Sequence, residues 1–314
     1  KLDASIAYTS VTSPNYPRYG YGPKNHMYTI LIWMSDDVNG EDLKNHHWVP
    51  GQEGYRQANY NYAWYNNPYF AAEELTQEHK RNVVDGQVKL NWQVLPNLML
   101  QGRANVRDKK LFENMRSPKT YLNYGDSRNG DYKLWNSSQQ NVDMDFLASY
   151  SQAISSNIQL SVNAGASSLY RTQQQEYQST DGLIVPNVFS LNNTQGPVQA
   201  SNYFQEKSIR SVYGSANIDL YDAVFLNLTA RNDWSSTLPA SNNSYFYPSA
   251  SISTLVSQYV KLPKVIDFLK VYSSWAQVSS DLSPYSIYSA YSKDVTYGST
   301  PSVYYPAGLI NPNI

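Results

Sequence analysis

The 314 residues carry 24 Lys+Arg against 25 Asp+Glu, a formal net charge of −1, which excludes the positive surplus on which nucleic-acid binding depends. Charged residues make up only 16% and Tyr alone numbers 29, beside 8 Phe and 7 Trp, a composition suited to strands with one wet and one apolar face rather than to a cytosolic enzyme. With no Cys in the chain, disulfide frameworks, thiolate metal sites and cysteine nucleophiles are excluded together.

No apolar run reaches the roughly 18 residues of a membrane-spanning helix, which leaves open a spanning β-barrel, whose strands are short and half polar. Lys1 to Thr9 alternates from its first residue, with no charged leader and apolar core ahead of it. The last residues, Asn313-Ile314, carry no terminal signal, so the expectation is the interior of a longer polypeptide. A long polar and aromatic connection runs from about Ser10 to Lys80. Then Val88, Leu90, Trp92 and Val94 interleave with Lys89, Asn91 and Gln93. After Pro96-Asn97 the alternation resumes, with Leu98, Leu100, Gly102, Ala104 and Val106 opposed to Met99, Gln101, Arg103, Asn105 and Arg107, a long hairpin on a two-residue turn. The connection Asp108 to Gln140 precedes a second hairpin. There Val142, Met144, Phe146, Ala148 and Tyr150 oppose Asp143, Asp145 and their polar neighbours, and Ser155 to Asn157 turns into Ile158, Leu160, Val162, Ala164 and Ala166. Beyond the connection Arg171 to Phe204, a third hairpin joins Ile209–Leu220 to Val224–Trp234 through Tyr221–Ala223. A fourth joins Phe246–Ser257 to Phe268–Ser279 after the shorter connection Ser235 to Tyr245. With the first segment, about nine strands are expected.

Short turns alternate with long connections, as in an outer-membrane barrel with short periplasmic turns and long extracellular loops. The segments meet the roughly 9 to 11 residues that a tilted spanning strand needs. The expected fold class is therefore all-β, part of a large antiparallel up-and-down transmembrane β-barrel. An odd set of strands leaves unpaired edges that hydrocarbon does not tolerate, so further strands are expected from outside these residues. An Arg or Lys at the bilayer midplane costs about 2 to 4 kcal/mol. That places Lys89, Arg103, Asp143, Asp145 and Arg231 on a water-filled lumen, and Val88, Leu90, Val142, Phe146, Leu160, Leu226 and Leu228 on lipid. Trp92, Tyr150, Tyr170, Trp234, Phe246 and Trp275 fall near strand ends, where aromatic girdles belong.

The stretch ARNDWSSTLPASNNSYFYPSASIS, Ala230 to Ser253, resembles the signature hairpin of SusC/RagA-type TonB-dependent transporters, outer-membrane importers of Bacteroidetes. NPYFAAEE at Asn67 to Glu74, FLKVYSSWAQVSSDLSPY at Phe268 to Tyr285 and LINPNI at Leu309 to Ile314 fit the same family in the same order. The resemblance places residues 1–314 as a partial transmembrane barrel domain. It implies a barrel of about 22 strands with an N-terminal plug, a SusD-like surface lipoprotein as lid, and energy from TonB-ExbB-ExbD through an N-terminal box. Neither plug nor box falls in these residues, and the barrel of the family continues past Ile314. The family's usual Gly-Asn-Asp is Ser279-Ser280-Asp281 here.

Asp143 and Asp145 share a strand face at a spacing that could pair an acid with a base, although solvated lumen carboxylates are the simpler expectation. The acidic turn around Asp36, Asp37, Asn39, Glu41 and Asp42 offers oxygens to calcium but lacks EF-hand spacing; a solvated loop tip is expected, and no cofactor. His46 and His47 are adjacent and His26 and His79 isolated, so all four read as ordinary loop residues rather than metal ligands. Phosphate loops and a nucleophile elbow are absent. The first connection is aromatic, including Trp33, Trp48, Trp64 and Tyr65, rings that either pack the loop and meet the lipoprotein or lie against substrate. The expected substrate-contacting set is Trp33, Trp48, Trp64 and Tyr65 with Lys89, Arg103, Asp143, Asp145 and Arg231. The function expected is import of an oligosaccharide or peptide across the outer membrane, not enzymatic catalysis. Rival readings are a passive porin or structural outer-membrane barrel, and a secreted all-β glycan-binding module.

Overall fold

A computed structural model describes residues 1–123, 126–127, 129–293, 300–305 and 308. Nine strands form one antiparallel sheet in which each strand pairs with its neighbours in chain order. They are β1 (Leu2–Ser13), β2 (Gln77–Leu95), β3 (Leu98–Ser117), β4 (Asp131–Ser155), β5 (Ile158–Ser179), β6 (Gln199–Leu220), β7 (Val224–Ser235), β8 (Ser244–Leu255) and β9 (Lys270–Ala276). The expected hairpin turns are all present. At the third, Tyr221 and Asp222 are both left-handed, with φ of 56° and 51°, and the Ala223 N–H bonds the Leu220 carbonyl at 3.1 Å, as a tight turn that follows the strand twist requires. The LINPNI stretch lies outside the described residues.

The register separates two kinds of row. One runs Lys89, Arg103, Asp145, Ser167, Ser211, Asp233, Tyr245 across seven strands. The adjacent row on the opposite face runs Leu90, Gly102, Phe146, Ala166, Val212, Asn232, Phe246. Because side chains alternate with period 2, every position expected to face lipid stands on the second face and every position expected to face the lumen on the first. The apolar face is bare: Trp92 is 60% exposed and Phe146 50%. Contiguous apolar surface on that scale needs a cover. The buried hydrophobic residues sit instead almost wholly in the connections.

Two expectations about boundaries are corrected. Much of Asp108–Gln140 and of Arg171–Phe204 is strand, not loop: β4 is 25 residues long and β5 and β6 are 22 each. These upper stretches, such as Ser137-Ser138-Gln139-Gln140 and Gln173-Gln174-Gln175, are polar on both faces. The backbone ladder continues there without an apolar row, because main-chain pairing does not depend on the polarity of the side chains, so hydrophobic alternation fades while pairing persists.

The connection between β1 and β2, residues 14–76, folds into a dome. It holds short helical turns at His26–Tyr28, Thr29–Trp33, Gly40–Asn45 and Pro68–Glu73. Asn25, Asn39 and Asn67 cap three of them by accepting N–H bonds on their side-chain oxygens, the usual remedy for unpaired amides at a helix start. Phe70, Ala71 and Leu75 form its core with Tyr121 from the β3–β4 connection, and Trp48 packs on that core. Three fully buried amides tie the dome together. Asn66 donates to the Pro23 and Leu122 carbonyls and accepts from Leu122 and Gln57. Asn67 donates to the Leu43 and Ala58 carbonyls. His79, expected in a loop, lies on β2. It is buried against Glu113 of β3 at 2.8 Å, under a stacked Tyr16 ring 4.4 Å away.

Candidate functional site

The polar face of the sheet carries a connected set of side chains. The Asp145 carboxylate on β4 accepts the Tyr213 hydroxyl of β6 at 2.6 Å, with Arg103 of β3 at 3.9 Å. That hydrogen bond spans the intervening strand β5, and it passes over Gly165, the residue paired with Tyr213. A Cβ at Gly165 would lie 2.4 Å from the Tyr213 ring, so the crossing requires glycine. The Arg231 guanidinium on β7 lies 5.7 Å from the centre of the same ring. It donates to Asp233 at 2.7 Å and to the Ser211 hydroxyl at 2.8 Å. Asp233 also accepts the Tyr247 hydroxyl of β8 at 2.6 Å, and Tyr247 stacks on Tyr245 with ring centres 5.9 Å apart.

Nearer the short turns the same face continues as uncharged polar groups. Ser149 donates to Asn163 at 2.7 Å, Asn163 to Ser215 at 3.1 Å, and Thr229 bonds Ser249 at 2.6 Å. Towards the loops, Asp281 folds back from beyond β9 onto Lys207 at 2.7 Å and onto the Ser235 and Thr237 hydroxyls at 2.7 and 3.3 Å. Burial pushes the Asp281 carboxyl up, but the Lys207 ammonium and the two hydroxyls more than reverse this and hold it below its ordinary value. Asp281 thus ties the segment after β9 to Lys207 within β6 and to Ser235 at the end of β7.

No protein-family model and no curated protein matches the sequence. Solved structures do. The RagAB peptide importer in its "open-open" state superposes with a TM-score of 0.71 at 14% identity, over 100% of this chain and 34% of that one. The same importer in its "closed-closed" state gives 0.67 at 13% identity, over 80% of this chain and 28% of that one. The nine-stranded antiparallel meander is thus a fold shared with part of these importers. The chain spans about a third of the length of these importers, 28% to 34%.

On this sheet, four expected lumen residues meet: Lys89, Arg103 and Asp145 share one row, and Arg231 joins them through Tyr213. Asp145 is hydrogen-bonded rather than simply solvated. Asp143 stands on the same face between Asn105 and Leu169, outside that network. The loop aromatics divide. Trp48 belongs to the dome core; Tyr65 is 7% exposed beneath a stacked Trp33 at 5.0 Å. Trp33 and Trp64 keep about half their surface, 48% and 53%. Tyr213, Tyr247, Ser211, Asp233 and Gly165 were not singled out from sequence. Asp233 and Tyr247 share a strand parity with Arg231 inside the quoted hairpin, which was the available signal; the reach of Tyr213 had none. In the acidic turn, Asn39 caps the helix that begins at Gly40 and Asp42 pairs with His46 at 3.0 Å. Among the described residues no group of three or more His, Asp or Glu is placed to hold a metal ion.

Proposed function

We propose that this chain is a partial barrel domain of an energised outer-membrane importer that takes up an oligomeric nutrient, peptide or oligosaccharide, beneath a SusD-like surface lipoprotein. The observation that carries this reading is the juxtaposition of a bare apolar face with a hydrogen-bonded polar face, on a sheet that overlays an importer barrel along its whole length. The exposed apolar rows argue against a soluble glycan-binding module. The remaining barrel strands, the plug and the TonB-ExbB-ExbD contact would be supplied by sequence beyond these residues, which the outer edges of β1 and β9, unpaired among the described residues, leave room for. Lys89, Arg103, Asp143, Asp145 and Arg231, with the half-exposed Trp33 and Trp64, form the proposed contact set for substrate or plug. The mix of cations, carboxylates and phenols suits zwitterionic peptides, so peptide is the first substrate to test.

The experiment is a deletion of the full-length gene, followed by uptake of fluorescent peptides and of neutral oligosaccharides, with a parallel pull-down of the tagged parent from outer membranes. Loss of uptake of one class, and a lipoprotein recovered in stoichiometric amount, are expected. Unchanged uptake of both classes, or a parent that stays soluble without detergent, contradicts the reading.

A further inference from the structure

Lys80, Lys110 and Arg116 share the apolar face but stand on the polar upper stretches of their strands, whereas one further cation lies level with the apolar belt itself. Arg210 of β6 pairs with Ser168 of β5 and Trp234 of β7, in a row continuous with Met144 of β4. It therefore projects with the apolar side chains, and it is exposed. Among the described residues it makes no hydrogen bond or ion pair. Its place on β6 is at the loop side of the apolar belt, level with Trp234, where an indole marks the headgroup region. An unpaired guanidinium there is not stabilised by the protein, so its partner is to be sought in what covers that face.

The surface around it is a groove of 710 Å³ lined by Arg210, Ser168 and Trp234 at one end and by Met144, Phe146 and Val212. Ala166 forms its floor between Phe146 and Val212. The next row on this face towards the short turns is Ala148, Ala164, Gly214, Ala230, so the furrow continues down the belt without a bulky side chain to block it. A guanidinium fork matches two oxygens of a phosphate, and an apolar furrow running from that fork along the belt matches a hydrocarbon chain.

We propose that this groove binds one phosphorylated lipid of the leaflet on the loop side, with its phosphate on Arg210 and an acyl chain along Ala166 and Gly214. The site rests on the barrel reading. It would make the lipid a resident part of the wall opposite the Asp145–Tyr213 bond.

The test is native mass spectrometry of the full-length parent in mild detergent, titrated with monophosphoryl lipid A and with the same lipid lacking its phosphate. Wild type is expected to retain one copy of the phosphorylated lipid, about tenfold more tightly than the phosphate-free one. Arg210→Gln should abolish that preference and Arg210→Lys keep part of it. Ala166→Phe, which fills the floor and leaves the guanidinium, should weaken both lipids. Equal binding of the two lipids by wild type, or undiminished binding of the phosphorylated lipid by Arg210→Gln, overturns the proposal. Complete displacement by inorganic phosphate also overturns it, because the groove would then contribute nothing. Quenching of tryptophan fluorescence by brominated lipid in the same proteins separates the two levels. Quenching without phosphate preference sinks the lipid site alone, and absence of quenching sinks the barrel reading with it.

Discussion

A methyl group added at Gly165 would meet the Tyr213 ring at 2.4 Å. Gly165→Ala should therefore push Tyr213 off Asp145 and leave the carboxylate short of a donor, a loss of about 1 to 3 kcal/mol seen as a lower urea midpoint of the folded parent. Tyr213→Phe deletes the same hydroxyl without the clash and should lose less; equal midpoints for Gly165→Ala and wild type would contradict the crossing. At Asp281 the carboxyl lies below its ordinary value. Its contribution to stability is thus fully present above the carboxylate range of the unfolded chain and is lost as pH falls through the lowered folded value. Between about pH 7 and about pH 3, wild type should lose more stability than Asp281→Asn, and identical pH profiles would rule this tie out. The side of the sheet taken by Lys89, Arg103 and Arg231 was legible in sequence because a period of 2 decides it. The partners of Asp145 and Arg231 were not, since a tyrosine reaching across the intervening strand depends on a gap at one glycine that no periodicity encodes.

Among the elements, the dome of residues 14–76 owes its shape to buried amides more than to apolar bulk. Asn67 caps the helix Pro68–Glu73 and also donates to Leu43 and Ala58, so Asn67→Ala orphans groups on three segments at about 1 to 3 kcal/mol for each group left buried and unpaired. Limited proteolysis should then cut within 14–76 while β2 to β8 stay protected. Protection of the dome equal to wild type would show that Phe70 and Leu75 alone hold it. This dome read as a long connection with packed aromatic rings and no helices, because its helical turns are too short to show a 3.6-residue pattern and its ties are side chain to carbonyl. The number and order of the strands were legible, as were their turns. Their upper ends were not, because main-chain pairing continues there without an apolar row to mark it. Trp48 and Trp33 also looked alike in sequence, and only packing on Phe70 or on Tyr65 tells them apart.

For the whole molecule, the proposed function requires that the Leu90–Phe146 face meet hydrocarbon and the opposite face water. Leu228 and Asn227 are neighbours on β7 that point to opposite faces, paired with Ala216 and Asn217 respectively. Leu228→Arg should cost about 2 to 4 kcal/mol in the membrane-inserted parent, whereas Asn227→Arg should be nearly neutral, a difference readable in urea-dependent folding into liposomes. Comparable losses at both positions would mean that neither face is wet. The most direct measurement uses the absence of Cys from these 314 residues to place single spin labels at successive positions from Val88 to Gln93 in the full-length parent within bilayers, with any Cys elsewhere in the parent replaced by Ser. Accessibility to oxygen, which partitions into lipid, is then compared with accessibility to a water-soluble nickel complex. The expected result is strict alternation, with labels at Val88, Leu90 and Trp92 relaxed by oxygen and shielded from nickel, and labels at Lys89, Asn91 and Gln93 shielded from oxygen. Oxygen accessibility in the opposite phase, or the same at all six positions, would contradict the account.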